Sequence, residues 1–364
     1  MEYNDMTLLV LAGGRSRRMG QDKRRISWRG SDFLQDLLRR AQPYPFWEIL
    51  VSFAAPSTYS QTVEQNWPVR IVYDQRKDCG PMEGLYQGLV AAHTPYLLVL
   101  SCDLPFFDFT WLEPLWQAAV SQGIGMPLAR GHVQPLAAIY SKKTTDVFRQ
   151  ARNDKMRKIT MVLQELSITP VPIEVCDFRF FNVNTPADLQ LARGRELNKN
   201  RAIPIVSITA SHSGLGKTTL IERLLPLLRQ QGLQVGVVKS DGHGCDMDRE
   251  GKDSWRFSQA GASAVAVVSP GGYFVLQQTA AKADLLQVAN MLYGVDLILI
   301  ESRAHGVAPV LEIVDSRRSD EVLTPAADLA AVIIQAGCTP RQVRQLNPDN
   351  MEDILNVVLF LSGV

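Results

Sequence analysis

Apolar runs of strand length alternate with segments of helical periodicity along the whole chain. Segments such as 33–40 and 82–92 lie between consecutive runs in the first half. Strands that alternate with helices form mostly parallel sheets with both faces covered. We therefore expect an α/β protein with doubly wound sheets. The predicted strands are residues 8–11, 49–53, 69–73, 96–100, 203–209, 233–239, 263–269, 296–301 and 330–335.

Length and a polar stretch divide this pattern in two. A chain of 364 residues exceeds the size at which one hydrophobic core stops growing. Residues 193–201 are polar and charged, and they follow a predicted helix that begins at Pro186. We expect one domain over residues 1–198 and another over 199–364. The glycine-rich loops of the two halves differ, which indicates a fusion of unlike domains.

Composition excludes several classes of function. A net charge of +1 argues against a nucleic-acid or membrane partner held by bulk charge. The five cysteines include no C-x-x-C pair, so neither a disulfide framework nor a structural zinc site is expected. The start of the chain lacks a leader pattern, and the apolar runs are too short to span a bilayer. These features favour a cytoplasmic protein.

The first predicted strand leads into a basic, glycine-containing loop. Gly13 and Gly14 allow close approach of the backbone to a ligand, but their distance from Gly20 differs from the dinucleotide fingerprint. Backbone donors and several cations suit a triphosphate. A solvated basic turn and an RNA-binding patch are the alternatives. The cations are Arg15, Arg17, Arg18, Lys23, Arg24, Arg25 and Arg29.

A carboxylate follows the fourth predicted strand. Asp103 comes directly before a turn that contains Pro105. An acid at the carboxyl end of a strand can hold Mg²⁺ against phosphate oxygens, and an ordinary turn residue is the alternative.

Together these segments resemble molybdenum cofactor guanylyltransferase over residues 6–196. The resemblance implies a Rossmann-like nucleotidyltransferase domain that joins GMP from GTP to the terminal phosphate of molybdopterin, with Mg²⁺, and releases pyrophosphate. The motifs are Leu11-Ala12-Gly13-Gly14-x-Ser16-x-Arg18-Met19-Gly20-x-Asp22-Lys23, Cys79-Gly80-Pro81, Cys102-Asp103-Leu104-Pro105 and Phe181-Asn182-Val183-Asn184-Thr185-Pro186.

The same resemblance implies roles for individual residues. Arg18 and Lys23 would contact the phosphates and Asp103 the metal, as the catalytic residues. Ser52 stands where some relatives have Asn, and Gly13 leaves room for a purine, which favours GTP over CTP. The implied GTP-binding residues are Leu11, Ala12, Gly13, Gly14, Lys23, Ser52, Asp74 and Asp103.

The acceptor side is less sharply defined. Gln134, Asn182 and Asn184 are the candidates for the pterin, although both asparagines could instead fix the turn before the helix at Pro186. A molybdopterin cytidylyltransferase, a sugar-phosphate nucleotidyltransferase and a non-catalytic nucleotide-binding scaffold are the alternative functions.

The second half contains a phosphate loop between a strand and an amphipathic helix. Its backbone N–H groups would cradle phosphates, Lys217 would reach the β- and γ-phosphates, and Thr218 would hold Mg²⁺. Glu301 ends an apolar strand, like the second carboxylate of nucleotide hydrolases. The predicted loop residues are Ser213, Gly214, Leu215, Gly216, Lys217, Thr218 and Thr219.

Residues 203–364 resemble the molybdopterin-guanine dinucleotide biosynthesis adaptor protein, a GTP-binding partner of the guanylyltransferase. The motifs are Gly216-Lys217-Thr218-Thr219, Val238-Lys239, Asp246-x-Asp248-x-x-Gly251-Lys252-Asp253-Ser254 and Glu301. The resemblance implies a P-loop NTPase-like domain that binds GTP and hydrolyses it slowly or not at all. Molybdoenzyme apoproteins and cofactor-insertion proteins are the implied partners, and a homodimer through this half stays open. We therefore expect a bifunctional enzyme of molybdenum cofactor maturation.

Overall fold

The computed structural model describes residues 3–12, 26–76, 79–129, 131–156, 158–173, 178–241, 250–303, 307–315, 317, 321–336 and 342–364. The chain forms two compact units, Met1–Leu189 and Gln190–Val364.

The first unit is built on a six-stranded sheet of order β3-β2-β1-β4-β8-β5. The first four strands of this order run parallel, and β8 pairs antiparallel with β4 and β5. A small sheet of order β7-β6-β9 lies beside it. The strands are β1 Met6–Leu11, β2 Glu48–Phe53, β3 Arg70–Tyr73, β4 Tyr96–Ser101, β5 Ile124–Gly125, β6 Pro127–Ala129, β7 His132–Val133, β8 Ala137–Ser141 and β9 Val171–Pro172. The helices are α1 Phe33–Ala41, α2 Thr58–Asn66, α3 Pro81–Ala91, α4 Glu113–Gln122, α5 Thr145–Asn153, α6 Ile159–Glu165 and α7 Pro186–Asn198.

Helices cover both faces of this sheet. All six residues of β1 are buried, and their side chains alternate between two hydrophobic clusters. Leu8 packs in a cluster with Leu37 of α1, whereas Leu9 packs in one with Leu85 of α3. A strand buried on both faces is a continuous apolar run in sequence, as residues 8–11 are. The doubly wound arrangement predicted for this half is confirmed.

The second unit has a parallel six-stranded sheet of order β11-β14-β10-β15-β16-β17. Helix α8 packs against β10 and α11, and α10 packs on a cluster that includes Ile205 and Ile298. The strands are β10 Ile205–Ala210, β11 Val235–Lys239, β12 Ala264–Ser269, β13 Gly272–Gln277, β14 Leu297–Glu301, β15 Val310–Asp315, β16 Leu329–Ala336 and β17 Arg344–Leu346. The helices are α8 Lys217–Gln230, α9 Asp253–Gln259, α10 Leu285–Ala289 and α11 Met351–Ser362.

One predicted strand belongs to a different sheet. The strand expected at 263–269 is β12, but it pairs with β13 in a separate two-stranded antiparallel ribbon. The turn between Ser269 and Gly272 is short enough to form a hairpin, so the backbone groups of β12 pair with the neighbouring β13. Apolar side chains on this ribbon face solvent, and Val268 is 82% exposed.

The division between the two units falls within α7, earlier than the boundary placed at residue 198 from the sequence. The end of α7 belongs to the second unit and bonds to other residues of that unit. Asn198 donates to the carbonyl oxygens of Ile205 (3.0 Å) and Leu361 (2.9 Å), and it accepts from the Ile205 N–H at 3.0 Å. Arg195 donates to the Phe360 carbonyl at 2.5 Å. These contacts group residues 190–198 with the second unit.

The described helices are short. The longest, α8, has 14 residues, and none in the described ranges is long and apolar enough to cross a membrane.

Candidate functional site

The carboxyl ends of the parallel strands of the first unit gather its predicted nucleotide residues. Leu11 ends β1 and stands in register with Ser52 of β2 on one side and Ser101 of β4 on the other. The N–H of Ala12 donates to the Ser52 carbonyl at 2.9 Å, which continues the strand pairing into the loop. Ligands of open α/β sheets bind at this edge, outside the carboxyl ends of the strands.

Ser52 in β2 lies beside Asp74, which follows the neighbouring strand β3. Ser52 is 2% exposed, and the N–H of Asp74, directly after β3, donates to the Phe53 carbonyl at 3.0 Å. Burial and the negative charge of Glu83 raise the pKa of Asp74 to about 6, against a smaller lowering by a hydrogen bond with Ser52. The pKa of Asp74 therefore lies well above the ordinary value of an aspartate, and such perturbed carboxylates are concentrated at functional sites.

A buried acid behind Asp74 was missed in the sequence. Glu83, in the first turn of α3, is fully buried and accepts hydrogen bonds from Arg152 Nε (2.7 Å) and Nη2 (2.9 Å). It also accepts from the N–H of Gln75 at 3.1 Å, next to Asp74. Burial would raise the pKa of Glu83, but the bonds and the charge of Arg152 lower it below its ordinary value. The available signal was an acid on a helix whose only other strongly polar residue is Gln87, which donates to Glu83 at 2.8 Å.

Helix α3 approaches the strand ends closely because Gly84 has no side chain. A Cβ at Gly84 would lie 2.7 Å from Ser52 Oγ and 2.8 Å from Leu11 Cδ2. Such distances are too short for real contacts, so glycine is needed for this packing. The helix thereby fixes the positions of two predicted nucleotide residues.

Asp103 follows β4 at the same edge and is 7% exposed. Its carbonyl accepts a hydrogen bond from the N–H of Val183 at 3.0 Å. This bond brings the segment 182–184 alongside the predicted metal ligand. A carboxylate oxygen is the donor type that Mg²⁺ prefers, so Asp103 fits the implied ion.

The predicted acceptor residues approach this edge from two segments. Asn182 donates to the Phe180 carbonyl at 3.2 Å, and Asn184 is exposed. Thr185 and Asp188 cap α7 by reciprocal side-chain to backbone bonds of 3.1 and 2.8 Å.

Gln134 stands on the other side of β4. The segment that it begins bonds to β4 where the Ser101 N–H donates to the Leu136 carbonyl at 2.9 Å. The side chain of Gln134 donates to the His132 carbonyl at 3.2 Å. One acceptor segment thus bonds to Asp103 itself, and the other bonds to Ser101 at the end of β4.

Four of the predicted site residues lie outside the described residues. They are Gly13, Gly14, Arg18 and Lys23.

The second unit carries the predicted phosphate loop between β10 and α8. Gly214 and Gly216 have φ of +76° and +81°, which favour glycine, and α8 begins at Lys217. Lys217 is 8% exposed and Leu215 is buried, whereas Ser213, Thr218 and Thr219 are exposed. Strand, loop and helix therefore follow one another as the motif requires.

Thr218 and Glu301 meet at the start of α8. The Thr218 hydroxyl donates to Glu301 Oε1 and Oε2 at 3.0 and 3.1 Å. Glu301 ends β14, the strand next to β10, and pairs in register with Ile208. A hydroxyl and a carboxylate beside a phosphate loop are a fitting donor set for Mg²⁺.

Two further cations and an amide surround this loop. Burial, with the charges of Arg303 and Lys239, lowers the pKa of Lys217, while Glu301 opposes the shift. Gln335, in β16, donates to the Leu215 carbonyl at 2.5 Å. Sequence reasoning missed Arg303, which lies two residues after β14, and Gln335, which lies in β16, because both are distant along the chain.

Two family models match the chain. Residues 8–169 match the MobA-like NTP transferase domain, and residues 205–335 match molybdopterin guanine dinucleotide synthesis protein B. The two matches fall in the two units in that order.

Individual relatives and one solved structure are similar to parts of this chain. A molybdenum cofactor guanylyltransferase from Pseudomonas aeruginosa is 33% identical over 195 residues, which are 52% of this chain and 95% of that protein. A molybdopterin-guanine dinucleotide biosynthesis adapter protein from Haemophilus influenzae is 38% identical over 104 residues, 28% of this chain and 58% of that protein. The solved structure of molybdopterin-guanine dinucleotide biosynthesis protein A from Archaeoglobus fulgidus is 25% identical with a TM-score of 0.45, covering 51% of this chain and 96% of that one.

Proposed function

Because the chain belongs to the molybdenum cofactor guanylyltransferase family and is thus a nucleotidyltransferase, we propose that its first unit transfers GMP from GTP to molybdopterin or Mo-molybdopterin. Pyrophosphate is the second product. The observation that carries this proposal is the convergence of Leu11, Ser52, Asp74 and Asp103 on neighbouring strand ends.

In the proposed reaction, the chain binds and orients two phosphate-bearing substrates. The terminal phosphate of the pterin attacks the α-phosphorus of GTP, and the bond to the β-phosphate oxygen breaks. A phosphate nucleophile is already ionised at neutral pH, so the reaction depends on alignment and charge neutralisation rather than on a general base. Ser52 and Asp74 hold the guanosine, Arg18 and Lys23 hold the phosphates, and Asp103 holds the metal. Bound Mg²⁺ would neutralise the charge that builds on the departing pyrophosphate.

The acceptor side of the proposal uses segments on both sides of Asp103. Asn182 and Asn184 follow Phe181 and flank Val183, whose N–H bonds to Asp103. Gln134 lies near the end of β4 on the other side. Amide side chains donate and accept hydrogen bonds together, which suits the mixed edge of a pterin.

A substrate assay tests the transferase proposal. The purified chain is incubated with Mg²⁺, molybdopterin and either GTP or CTP in separate reactions. Pyrophosphate release is measured in each. A parallel series replaces molybdopterin with sugar phosphates. We expect release with GTP and molybdopterin; turnover with CTP only, or with a sugar phosphate only, contradicts the proposal. Absence of any turnover would favour a nucleotide-binding scaffold.

For the second unit we propose GTP binding at Ser213–Thr219, with slow hydrolysis and an adaptor role. Support comes from the positive φ of Gly214 and Gly216, the buried Lys217 and the contact between Thr218 and Glu301. Among the described residues, no side chain near Thr218 and Glu301 stands out as one that would orient an attacking water, which is consistent with slow turnover. Single-turnover hydrolysis of GTP by Asp103→Asn protein would measure this unit without guanylyl transfer.

The proposed setting is the cytoplasm, with the apoproteins of molybdoenzymes and cofactor-insertion proteins as recipients of the product. We also propose a homodimer through the second unit. The ribbon of β12 and β13 supports it, since Val268 (82%), Val275 (59%) and Tyr273 (57%) expose apolar surface there. Light scattering should give a molar mass of twice the chain mass for the wild-type protein. The Val268→Asp variant should have the mass of a single chain. A monomeric wild-type protein would contradict this arrangement.

A further inference from the structure

The loop that follows Asp103 is held from outside by two arginines. Arg40 Nη1 donates to the Phe107 carbonyl at 2.7 Å, and Arg40 Nη2 donates to the Leu104 carbonyl at 3.2 Å. Arg29 Nη1 donates to the Pro105 carbonyl at 3.3 Å. The Val183 N–H also donates to the Asp103 carbonyl. The backbone carbonyls that accept hydrogen bonds from outside this segment are therefore those of Asp103, Leu104, Pro105 and Phe107.

Both arginines share one buried carboxylate. Asp36, in α1, is 3% exposed and accepts from Arg40 Nε at 2.9 Å and from Arg29 Nη1 at 3.3 Å. Asp36 and Arg40 are four residues apart on the helix, so their side chains lie on the same face. The carboxylate therefore orients both guanidinium groups toward the loop.

This arrangement gives little stability that an apolar residue could not supply. A buried ion pair loses much of its Coulomb attraction to desolvation, and replacement by packed apolar side chains is often neutral or favourable. What the charges add is direction, because a guanidinium presents its donors in a fixed fork. Arg40 uses that fork fully, with Nε on Asp36 and both terminal nitrogens on the loop.

The position of the loop bears directly on Asp103, since Leu104 and Pro105 follow it without a break. Misplacement of a reacting group by about 1 Å can cost on the order of a hundredfold in rate.

Arg29 belongs to the basic cluster predicted to face a triphosphate, yet its guanidinium contacts Asp36, Pro105 and the rings of Trp28 (5.2 Å) and Phe106 (5.8 Å).

We propose that Arg40 and Arg29, anchored on Asp36, are positioning residues that place the Asp103 carboxylate for its metal ion and so set how tightly the first unit holds metal-bound GTP. The inference rests on the proposed function, in which Asp103 is the metal ligand.

The decisive variant is Arg40→Ala, with Arg39→Ala as the matched control. Arg39 is the neighbouring cation on α1; it is half exposed, donates to Ser31 at 3.2 Å and approaches Asp36 only to 3.9 Å, so it shares the carboxylate with Arg40 but not the hydrogen bonds to the loop carbonyls. Guanylyl transfer is measured against Mg²⁺ concentration at saturating GTP. For Arg40→Ala we expect the half-saturating Mg²⁺ concentration to rise about fivefold or more and kcat to fall about tenfold. Arg39→Ala should change both quantities less than about twofold.

Thermal unfolding of each variant separates positioning from simple loss of stability. A folded Arg40→Ala protein with an unchanged Mg²⁺ dependence would overturn the proposal. If Arg40→Ala does not fold, Arg40→Lys replaces it, because lysine keeps the charge beside Asp36 and loses the fork. Arg40→Lys should still raise the half-saturating Mg²⁺ concentration, and a wild-type value would equally overturn the proposal.

A second measurement does not use activity. Mn²⁺ serves as the probe, and the signal of free Mn²⁺ in electron paramagnetic resonance gives the bound fraction in the presence of GTP. All chains in this series carry Lys217→Ala to suppress the second unit. Arg40→Ala should weaken Mn²⁺ binding in the same direction as Asp103→Asn, and equal binding by Arg40→Ala and its parent refutes the inference. The two claims fail in different ways. A wild-type chain that shows no guanylyl transfer would refute the proposed function. The Mn²⁺-binding series would still test whether Arg40 positions Asp103.

Discussion

Asp74 is the residue at which local electrostatics bear most directly on the proposed binding of guanosine. Its carboxyl is half-buried, faces the negative charge of Glu83 and bonds with Ser52. An ionised carboxylate accepts two hydrogen bonds from the adjacent ring and exocyclic N–H groups of guanine, whereas the protonated form loses one acceptor. If Asp74 holds the guanine as proposed, recognition at this position depends on pH.

We predict that GTP affinity of the first unit falls as the pH drops through about 6, because burial raises the pKa of Asp74 to that value. The carboxylate is ionised above this pH and protonated below it, so the loss lies on the acid side. The measurement is the Kd for GTP in Lys217→Ala protein between pH 5 and pH 8.

The terminal phosphate of GTP titrates in the same range, so Asp74→Asn is the control. An amide does not ionise, so this variant should bind GTP more weakly than the parent. Its Kd for GTP should also rise less steeply as the pH falls below about 6. Identical pH profiles for the two proteins would show that Asp74 does not face the nucleotide.

Asp103 gives a second prediction at this scale. Asp103→Asn should lower kcat for guanylyl transfer by about 100-fold or more, because an amide binds Mg²⁺ poorly and leaves developing charge uncompensated. Asp108→Asn is the matched control, since Asp108 is exposed and caps the short helix Phe109–Trp111. Equal activity of Asp103→Asn and Asp108→Asn would remove Asp103 from the catalytic residues.

Among the elements, α3 connects packing to the nucleotide site. It carries Glu83 and Gly84 near its start, and Gly88 one turn later packs on Leu9, where a Cβ would lie 2.3 Å from Leu9 Cδ2. The two glycines face different parts of the same sheet. Gly84 touches side chains of the site, and Gly88 touches the core behind it.

We predict that Gly84→Ala raises the KM for GTP about tenfold or more, because the new methyl group displaces Ser52 and Leu11. Gly88→Ala should destabilise the protein by about 1–3 kcal/mol through overpacking, with little change in KM. Steady-state kinetics and thermal unfolding of both variants test this. A common loss of stability with no difference in KM contradicts the assigned place of Gly84.

Much of this element structure could be predicted from the sequence. Strands buried on both faces are continuous apolar runs, so β1, β2, β4, β10 and β14 were predicted within two residues at each end. The strand predicted at 263–269 was grouped with the main sheet because its continuous apolar run resembles that of a buried strand, and β13 was not predicted. The exposure of the apolar side chains of this ribbon depends on which other elements pack nearby, and a local sequence pattern does not contain that information.

The candidate sites were predictable where a motif follows a strand, as at Asp103 and Lys217. They were not predictable where distant segments meet. Arg152 reaches Glu83 from α5, and Gln335 reaches Leu215 from β16. Periodicity describes which face a residue occupies, but it does not describe which remote side chain lies opposite.

At the scale of the whole molecule, the proposed function gives the chain two nucleotide sites of different design. The first would use strand ends and side chains, and the second would use a phosphate loop with a helix N-terminus. Joining two binding units on one chain raises the effective concentration of each for the other. This physical advantage would hold for any product passed from the transferase to the adaptor.

Nucleotide stoichiometry tests the account of two sites on one chain most directly. Equilibrium dialysis with a non-hydrolysable GTP analogue and Mg²⁺ counts bound nucleotide per chain. We predict two bound nucleotides for the wild-type chain and one for Lys217→Ala, which removes the lysine that binds the β- and γ-phosphates. Lys217→Ala should retain guanylyl transfer. A single bound nucleotide per wild-type chain, or an unchanged count in Lys217→Ala, would contradict the account.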